Sequence, residues 1–381
     1  MTALGSFKMK IDLDNLDLVA KIDRSDMIGA VNHFPDAFKR RTDVMVGELR
    51  GGRSGIRSLV LMGMGGSASA GDVVLDWLRD ELKIPALVHR EPGLPGFVNH
   101  GTLFVGISYS GNTSETLNAF RAAKSRRAHV IGVGTGGKLS DLCSQLGAPF
   151  LEVEPALAPR AALGQLIVAA ASVLENLGLV RSVVREMSEV GAELTGLRGQ
   201  FRGQTPLEKN PAKRLATDLL YHFIVLYSLQ RMSSVARRFK NQLAENSKEL
   251  AKYDILPEAC HNGIEAWRGS TRSMLPVIIR DGDESAFERS IVEAFKSTIS
   301  SVAKAHPMEV RLPGRGRLAR LLFPIFFLDY ASVYLAILKR IDPTPTELIE
   351  EYKTKGEIVI ILLRLRLESS GQLSFLCPTG G

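Results

Sequence analysis

The sequence predicts an α/β protein in which doubly wound parallel sheets are flanked by helices, as in a flavodoxin-like three-layer sandwich. Two observations lead to this prediction. Short apolar stretches typical of buried strands, such as 58–62 and 102–107, alternate with longer helical stretches. Glycine-bearing turns follow several of these strands, at the sheet edge where parallel sheets bind their ligands.

The first half of the chain supplies most of this pattern. Residues 11–50 alternate polar and apolar side chains at helical spacing and predict a helical lead-in. Strands are then predicted at 58–62, 87–88, 102–107, 129–133 and 151–153. Helices are predicted at 68–82, after the first of these strands, and at 160–177, after the last.

The second half repeats the alternation less regularly. A second series begins near Asn210, with strands predicted at 221–226, 275–279 and 308–312. Two related domains packed face to face are therefore expected. The predicted divisions are a helical lead-in 1–50, an N-terminal domain 51–180, a linker helix 181–204, a C-terminal domain 205–355 and a tail 356–381.

The composition is ordinary for a soluble protein, and an anionic small substrate would explain its mild positive charge as well as nucleic acid would. The formal charge is +7 and the pI about 9.3, but the basic residues are scattered, with no arginine-rich arm, so no nucleic-acid partner is expected. Cys143, Cys260 and Cys377 have no CxxC spacing, which argues against a disulfide framework or zinc site and suits the reducing cytoplasm.

No membrane segment is expected. The N-terminal residues mix lysine and aspartate from Lys8 onward, unlike a signal peptide. The longest apolar stretch, 321–338, contains Pro324 and Asp329 and predicts a buried helix rather than a membrane span.

The stretch 106–113 (GISYSGNT) is the strongest candidate for a binding site. It joins a predicted strand to a predicted helix, and the first turn of a helix offers unpaired N–H groups to an anion. Ser108, Ser110 and Thr113 add three hydroxyls, and the loop lacks the lysine of a P-loop and the GxGxxG spacing. These features favour a phosphomonoester, although such side chains also cap helices.

A second glycine loop, 63–67 (GMGGS), follows the neighbouring strand and contains Gly65, Gly66 and Ser67. Glycines there allow the backbone to approach a ligand closely. By itself the loop is equally compatible with a tight turn. Its position beside the hydroxyl-rich loop favours a shared phosphate site.

Three charged or titratable residues are further candidates. Arg160 begins an otherwise apolar helix, so it either serves a site or forms a surface salt bridge. Glu245 lies in a polar run, 241–248, that shows no amphipathic pattern, and His261 follows it. The last two are either a general base and a ring-opening acid or ordinary surface groups.

The motifs taken together resemble the archaeal and bacterial bifunctional phosphoglucose/phosphomannose isomerases of the sugar isomerase (SIS) superfamily. SYSGNT is typical of the superfamily, whereas NQLAENSK with HN and IDPTP is typical of this branch. The resemblance also covers GMGGSASAGD, PRAALG, KNPAKRLA, HNGIEAW and IDPTPTELIEEYK, in order from about Leu59 to Lys353.

This resemblance implies two SIS domains and a homodimer whose active sites are shared between subunits. The substrates would be glucose, fructose and mannose 6-phosphates, and no cofactor or metal would be needed. The family's phosphate-binding positions correspond to Gly65, Gly66, Ser67, Ser108, Ser110 and Thr113.

The resemblance also assigns catalytic roles. Glu245 would be the base that transfers a proton between C2 and C1, and Arg160 would stabilise the enediolate. His261, contributed by the other subunit, and Lys353 would open the sugar ring. Thr346 would leave room at C2.

Two departures from the family and two alternatives accompany this assignment. Ala244 replaces the usual asparagine, and residues 358–381 resemble nothing in the family. One alternative is another SIS sugar-phosphate isomerase, such as a glucosamine-6-phosphate-forming domain; the lack of an N-terminal glutaminase cysteine and of spare length argues against it. The other is a non-catalytic SIS regulator, for which residues 1–50 offer no helix-turn-helix domain.

Overall fold

Two parallel sheets, each covered by helices, form the protein in a computed structural model that describes residues 12–39, 55–181, 183–302 and 306–356. The described chain forms two compact units, one ending at Pro343 and one beginning at Thr344. Both sheets belong to the first unit. The predicted tail, 356–381, lies outside the described residues except for Gly356.

The strands are all paired in parallel. The five-stranded sheet has the order β2-β1-β3-β4-β5, and the four-stranded sheet has the order β7-β6-β8-β9. The strands are β1 (Ser58–Met62), β2 (Ala86–His89), β3 (Thr102–Ile107), β4 (His129–Gly134), β5 (Phe150–Glu152), β6 (Phe223–Leu229), β7 (Ala251–Leu256), β8 (Met274–Ile279) and β9 (Met308–Val310).

The helices cover both faces of each sheet. Short 3-10 turns at 34–39, 159–162, 230–232, 258–261 and 263–269 complete the connections. The α-helices are α1 (Leu16–Ile22), α2 (Met27–Asn32), α3 (Gly65–Leu78), α4 (Ser114–Ser125), α5 (Gly137–Gln145), α6 (Leu163–Asn176), α7 (Val183–Phe201), α8 (Pro211–Leu219), α9 (Ser233–Glu245), α10 (Ala286–Ser300) and α11 (Gly316–Leu338).

One continuous apolar core lies between the two sheets. Alternate residues of the strands, such as Leu59 and Leu61 of β1 and Ile224 and Leu226 of β6, point into it together with α3, α6, α9 and α11. The other faces form separate cores, one with α4 and α5 and one with α10. This alternation is what parallel strands buried on both faces require, and it confirms the predicted α/β fold.

Helix α11 crosses the shared core. Among the described residues it is the one helix long and apolar enough to cross a membrane, and its most apolar stretch is entirely buried inside the protein. The buried helix expected at 321–338 is therefore present.

Some predicted boundaries of single elements were wrong, and one strand was missed. The last three residues of the glycine loop 63–67 form the first turn of α3, which begins at Gly65 rather than Ala68. The strand predicted from Tyr221 begins at Phe223, because Tyr221 has φ +66°, outside the extended region. Strand β7, with the sequence AKYDIL, was not predicted.

The division of the chain into lead-in, two domains, linker and tail remains a prediction. Helices α1 and α2 lie within the described part of the predicted lead-in, and α7 lies within the predicted linker, 181–204.

Candidate active site

The loops after β1 and β3 meet at one edge of the first sheet. In the strand order 2-1-3-4-5, connections leave β1 and β3 in opposite directions, which opens a crevice between their carboxyl ends. The first loop leads into α3 and the second into α4. The strand order thus creates a binding crevice between the two loops singled out in the sequence.

The hydroxyls at this crevice are held by one another and by the backbone. The Ser67 hydroxyl accepts a hydrogen bond from the Tyr109 N–H (3.1 Å), which links the two loops. The Ser108 hydroxyl donates to Thr113 Oγ1 at 3.0 Å, and Ser108 is buried. Ser110, by contrast, is exposed, and its Oγ accepts a hydrogen bond from the Asn112 N–H at 3.3 Å.

Thr113 occupies the N-cap position of α4 without capping it. Its side chain makes no cap hydrogen bond, so its Oγ1 is not used on the first helical turn. Helix capping therefore does not explain Thr113. The Thr113 side chain therefore leaves the first-turn N–H groups of α4 uncapped, as an anion site requires.

A glycine is needed at the centre of this loop. Gly111 has φ +67°, and a Cβ there would lie 1.8 Å from the Gly136 carbonyl oxygen in the loop after β4. The Leu139 N–H also donates to the Gly111 carbonyl at 2.9 Å. The loop after β4 therefore packs directly against the hydroxyl-rich loop and fixes its shape.

Gly66 brings the first turn of α3 against the segment that contains Arg160. A Cβ on Gly66 would lie 3.1 Å from the Pro159 carbonyl oxygen and 3.4 Å from the Arg160 Cα. A larger side chain would push these segments apart. Gly66 thus places Arg160 beside the candidate phosphate crevice, and the neighbouring Gly65 turns the chain with φ +50°.

Arg160 is buried and forms an ion pair with Glu245. Its Nη1 lies 3.6 Å from Glu245 Oε2, its Nε donates to Asn246 Oδ1 at 2.7 Å, and its Nη2 donates to the Pro343 carbonyl at 2.8 Å. Burial lowers the pKa of the Arg160 guanidinium, and the charge of Glu245 opposes that shift. Arg160 is therefore no surface salt bridge, since only 3% of it is exposed.

An antiparallel helix pair explains why these groups meet. Helix α9 ends at Glu245, and its first turn donates the Ser234 N–H to Asp76 near the end of α3 at 2.8 Å. Midway along, Arg237 of α9 pairs with Asp72 of α3 at 3.4 Å. The beginning of α3, with Ser67, and the end of α9, with Glu245, consequently lie at the same end of the pair.

Helix α9 also corrects the interpretation of the run 241–248. It is amphipathic, but its buried face includes Arg238 and Gln242 beside Phe239 and Leu243. Because these polar side chains lie on the buried face, the sequence does not show the apolar repeat that is typical of an amphipathic helix. Asn246, which directly holds Arg160, was missed as a site residue because its partner is distant in the chain.

His261 is not brought to Glu245 by any contact within the described chain. It ends a short 3-10 turn after β7, is exposed, and its side chain forms no hydrogen bond or ion pair with another described residue. Its role therefore stays a prediction, as does its contribution from a second subunit.

Thr346 and Lys353 belong to the second unit, which is described by itself. Residues 347–356 are helical, and the Thr346 carbonyl accepts the Ile349 N–H at 3.0 Å. Lys353 lies one turn after Glu350, with Nζ 3.1 Å from Oε1. Their assignment to the site stays a prediction.

The corresponding edge of the second sheet is occupied by ion pairs. The buried Asp281, two residues after the end of β8, contacts Arg231, Arg317 and Arg320. Its carboxylate lies 2.9 Å from Arg231 Nε and 2.8 Å from Arg320 Nε. This edge holds a filled charge cluster instead of a hydroxyl-lined crevice, so the two sheets are not equivalent as binding sites.

Comparisons with known proteins agree with this architecture. Residues 54–146 match the SIS domain model, and residues 208–355 match the model of the bacterial phospho-glucose isomerase C-terminal SIS domain. The chain is 34% identical over 304 residues to a bifunctional phosphoglucose/phosphomannose isomerase of Caldicellulosiruptor bescii, covering 79% of this chain and 89% of the relative. The chain belongs to this isomerase family.

A second member of the bifunctional phosphoglucose/phosphomannose isomerase family, from Aquifex aeolicus, is 30% identical over 300 residues, which is 78% of this chain and 89% of the relative. Among solved structures, a glucose-6-phosphate isomerase like protein from Thermus thermophilus matches with a TM-score of 0.56 and 20% identity, covering 90% of this chain and 98% of that one. The latter likeness shows the shared SIS fold.

The described residues contain two free thiols but no cluster of metal ligands. Within the described ranges, no group of three or more His, Cys, Asp and Glu side chains is arranged to hold a metal ion. Cys143 and Cys260 are free thiols, and burial raises the pKa of Cys143 to about 11.

Proposed function

We propose that the protein is an aldose–ketose isomerase that interconverts glucose 6-phosphate and mannose 6-phosphate with fructose 6-phosphate through a cis-enediolate. The observation that carries the proposal is the 3.6 Å approach of Glu245 Oε2 to Arg160 Nη1, beside the hydroxyl-lined crevice. A carboxylate and a guanidinium placed together suit proton transfer next to a developing oxyanion. The names of the relatives support the same chemistry.

In this proposal, the crevice binds the substrate phosphate. Gly65, Gly66 and Ser67 act from the start of α3, and Ser108, Ser110 and Thr113 act from the loop before α4. Hydroxyl and N–H donors at two helix starts match the oxygens of a terminal phosphomonoester. The reacting carbons then extend toward Arg160 and Glu245.

Proton transfer is assigned to Glu245. The carboxylate takes the proton from C2 of the open-chain aldose and returns it at C1, while Arg160 stabilises the charge on the enediolate oxygens. Glucose and mannose 6-phosphates differ only at C2 and give the same enediolate. One site with room for either C2 epimer, to which Thr346 contributes, therefore serves both substrates.

Ring opening and subunit organisation complete the proposal. His261 and Lys353 move protons between the ring oxygen and the C1 oxygen, and His261 comes from the other subunit of a homodimer. The reaction requires no metal or cofactor, and the protein acts in the cytoplasm. These features rest on the family resemblance.

Incubation of the purified protein with fructose 6-phosphate tests the proposal, with both aldose products quantified separately in the presence and absence of EDTA. We expect both glucose 6-phosphate and mannose 6-phosphate to form at rates that EDTA leaves unchanged. Activity lost in EDTA and restored by zinc would contradict the metal-free mechanism. Tight binding of fructose 6-phosphate without either product would indicate a sugar-phosphate sensor.

A further inference from the structure

A chain of buried hydrogen bonds connects the Arg160 side chain to helix α11. Asn246 accepts from Arg160 Nε at 2.7 Å and donates through Nδ2 to Ser332 Oγ at 2.8 Å. Ser332 donates to the Asp329 carbonyl at 2.7 Å. Asn246 and Ser332 are both completely buried, so these bonds do not compete with water.

The direction of each bond in this chain is determined by chemistry. A serine hydroxyl has a single hydrogen, and Ser332 uses it on the Asp329 carbonyl. Its oxygen can then only accept, so the Asn246 amide must present its NH₂ group to Ser332 and its oxygen to Arg160. Because Arg160 Nε can only donate, both ends of the chain require the same orientation of the Asn246 amide.

The backbone of Arg160 is connected to the same turn of α11. Arg238 Nη2 donates to the Arg160 carbonyl at 3.1 Å, and Arg238 also forms a buried ion pair with Asp329, with Nε 3.0 Å from Oδ1. Asp329 and Ser332 are neighbours on one face of α11. Both the main chain and the side chain of Arg160 are thus fixed to α11.

We propose that Ser332 and Asn246 are positioning residues that set the orientation of the Arg160 guanidinium toward an anionic oxygen pair of the bound phosphosugar. This inference rests on the proposed function of Arg160. Nε is held by Asn246 and Nη2 by the Pro343 carbonyl, so the plane of the guanidinium is fixed with Nη1 on the side of Glu245. A guanidinium held in one plane presents its N–H donors in a fixed direction. This favours the charged oxygens of the enediolate over the neutral hydroxyls of the substrate.

Two five-carbon probes measure this property without turnover. Arabinonate 5-phosphate carries a carboxylate in place of the two enediolate oxygens, whereas arabinitol 5-phosphate carries the same phosphate and no carboxylate. The ratio of their dissociation constants, measured by titration calorimetry, reports how well Arg160 recognises the anion. We expect the wild-type protein to prefer the aldonate.

Ser332→Ala should reduce that preference about tenfold, the upper range for one hydrogen bond, and leave the affinity for arabinitol 5-phosphate unchanged. Ser332→Thr keeps the hydroxyl and should retain the preference. Ser172→Ala is the matched control, because Ser172 is a buried helical serine whose hydroxyl has no partner among the described residues. It should change neither affinity. Ser332→Cys, which keeps the volume but accepts hydrogen bonds weakly, gives the same comparison where Ser332→Ala does not fold.

A double-mutant cycle with Arg160→Lys separates positioning from general destabilisation. In the Arg160→Lys background, Ser332→Ala should have no further effect on the preference. An equal further loss, or an unchanged preference in Ser332→Ala alone, overturns the inference.

The outcome is also independent of the proposed activity. A wild-type protein without isomerase turnover that still prefers the aldonate would refute the isomerase proposal and support the positioning role. A wild-type protein that turns over fructose 6-phosphate without preferring the aldonate would refute the positioning role alone.

Discussion

Arg160 and Glu245 form an ion pair with 3.6 Å between Nη1 and Oε2, although Arg160 follows the strands of the first sheet and Glu245 belongs to the second half of the chain. The antiparallel packing of α3 and α9 brings them together. Neither half of the chain contains the candidate site alone. In the proposed mechanism, binding of the phosphate and chemistry at C1 and C2 therefore both depend on the packing of the two sheets around their common helices.

The hydroxyls of the crevice should contribute to binding more than to catalysis. We expect Ser110→Ala and Thr113→Ala each to weaken the affinity for arabinitol 5-phosphate by roughly tenfold or more, since a hydrogen bond to a charged group is worth about 1.5–3 kcal/mol. Ser125→Ala, at the opposite end of α4, is the control, because its hydroxyl bonds to carbonyls of its own helix. Calorimetry measures the three affinities. Normal binding by both crevice variants would show that the loop has no role in phosphate binding.

Gly111→Ala should disrupt the shape of the same loop. The added Cβ would meet the Gly136 carbonyl at 1.8 Å in addition to the strain of φ +67°. Gly147→Ala has a similar φ of +58° but no atom within 4 Å of the new Cβ, so it isolates the backbone strain of about 1 kcal/mol. We expect Gly111→Ala to lower the melting temperature more than Gly147→Ala and, alone of the two, to weaken phosphate binding. Equal effects on both measurements would mean that the contact between the loops is not required.

Much of this arrangement could be predicted from the sequence, because it depends on local patterns. Glycine-bearing turns after apolar strands predicted the crevice, and the apolar run 321–338 predicted the buried helix α11. Strand β7 was missed because its edge position leaves Lys252 exposed and its sequence without a clear apolar run. The buried face of α9 was missed because Arg238 becomes compatible with the core only through Asp329, which is far away in the sequence.

The stability at low pH should depend on Asp36, which ties the turn 34–39 to α7. Burial raises the pKa of the Asp36 carboxyl, but hydrogen bonds from His33, Arg198 and Lys39 outweigh burial and lower it. A lowered folded-state pKa stabilises the protein above the unfolded value of about 3.9, and this stabilisation is lost as the pH falls below that value. Asp36→Asn should therefore lower the free energy of unfolding at pH 7 and have a smaller effect at about pH 3, as measured by urea unfolding. An equal effect at both pH values would exclude this linkage.

The proposed contribution of His261 from a partner subunit predicts complementation between two inactive variants. Glu245→Gln and His261→Ala homodimers should each be nearly inactive. After complete subunit exchange, random pairing makes about half of the dimers mixed, and one of the two sites in each mixed dimer is intact. Roughly a quarter of wild-type activity should return. Demonstrated exchange without recovery would place both residues of each site in one subunit.

The most direct test of the account is the turnover of fructose 6-phosphate by Glu245→Gln, with glucose 6-phosphate and mannose 6-phosphate measured separately. Glu265→Gln is the control, because Glu265 is exposed and its carboxylate pairs with Arg268, 3.1 Å away. In the proposed mechanism one carboxylate serves both epimers, so we expect Glu245→Gln to lose both activities together by about a hundredfold or more, with arabinitol 5-phosphate still bound. If either aldose still formed at the wild-type rate, Glu245 would not be the base and the shared-enediolate mechanism would be wrong.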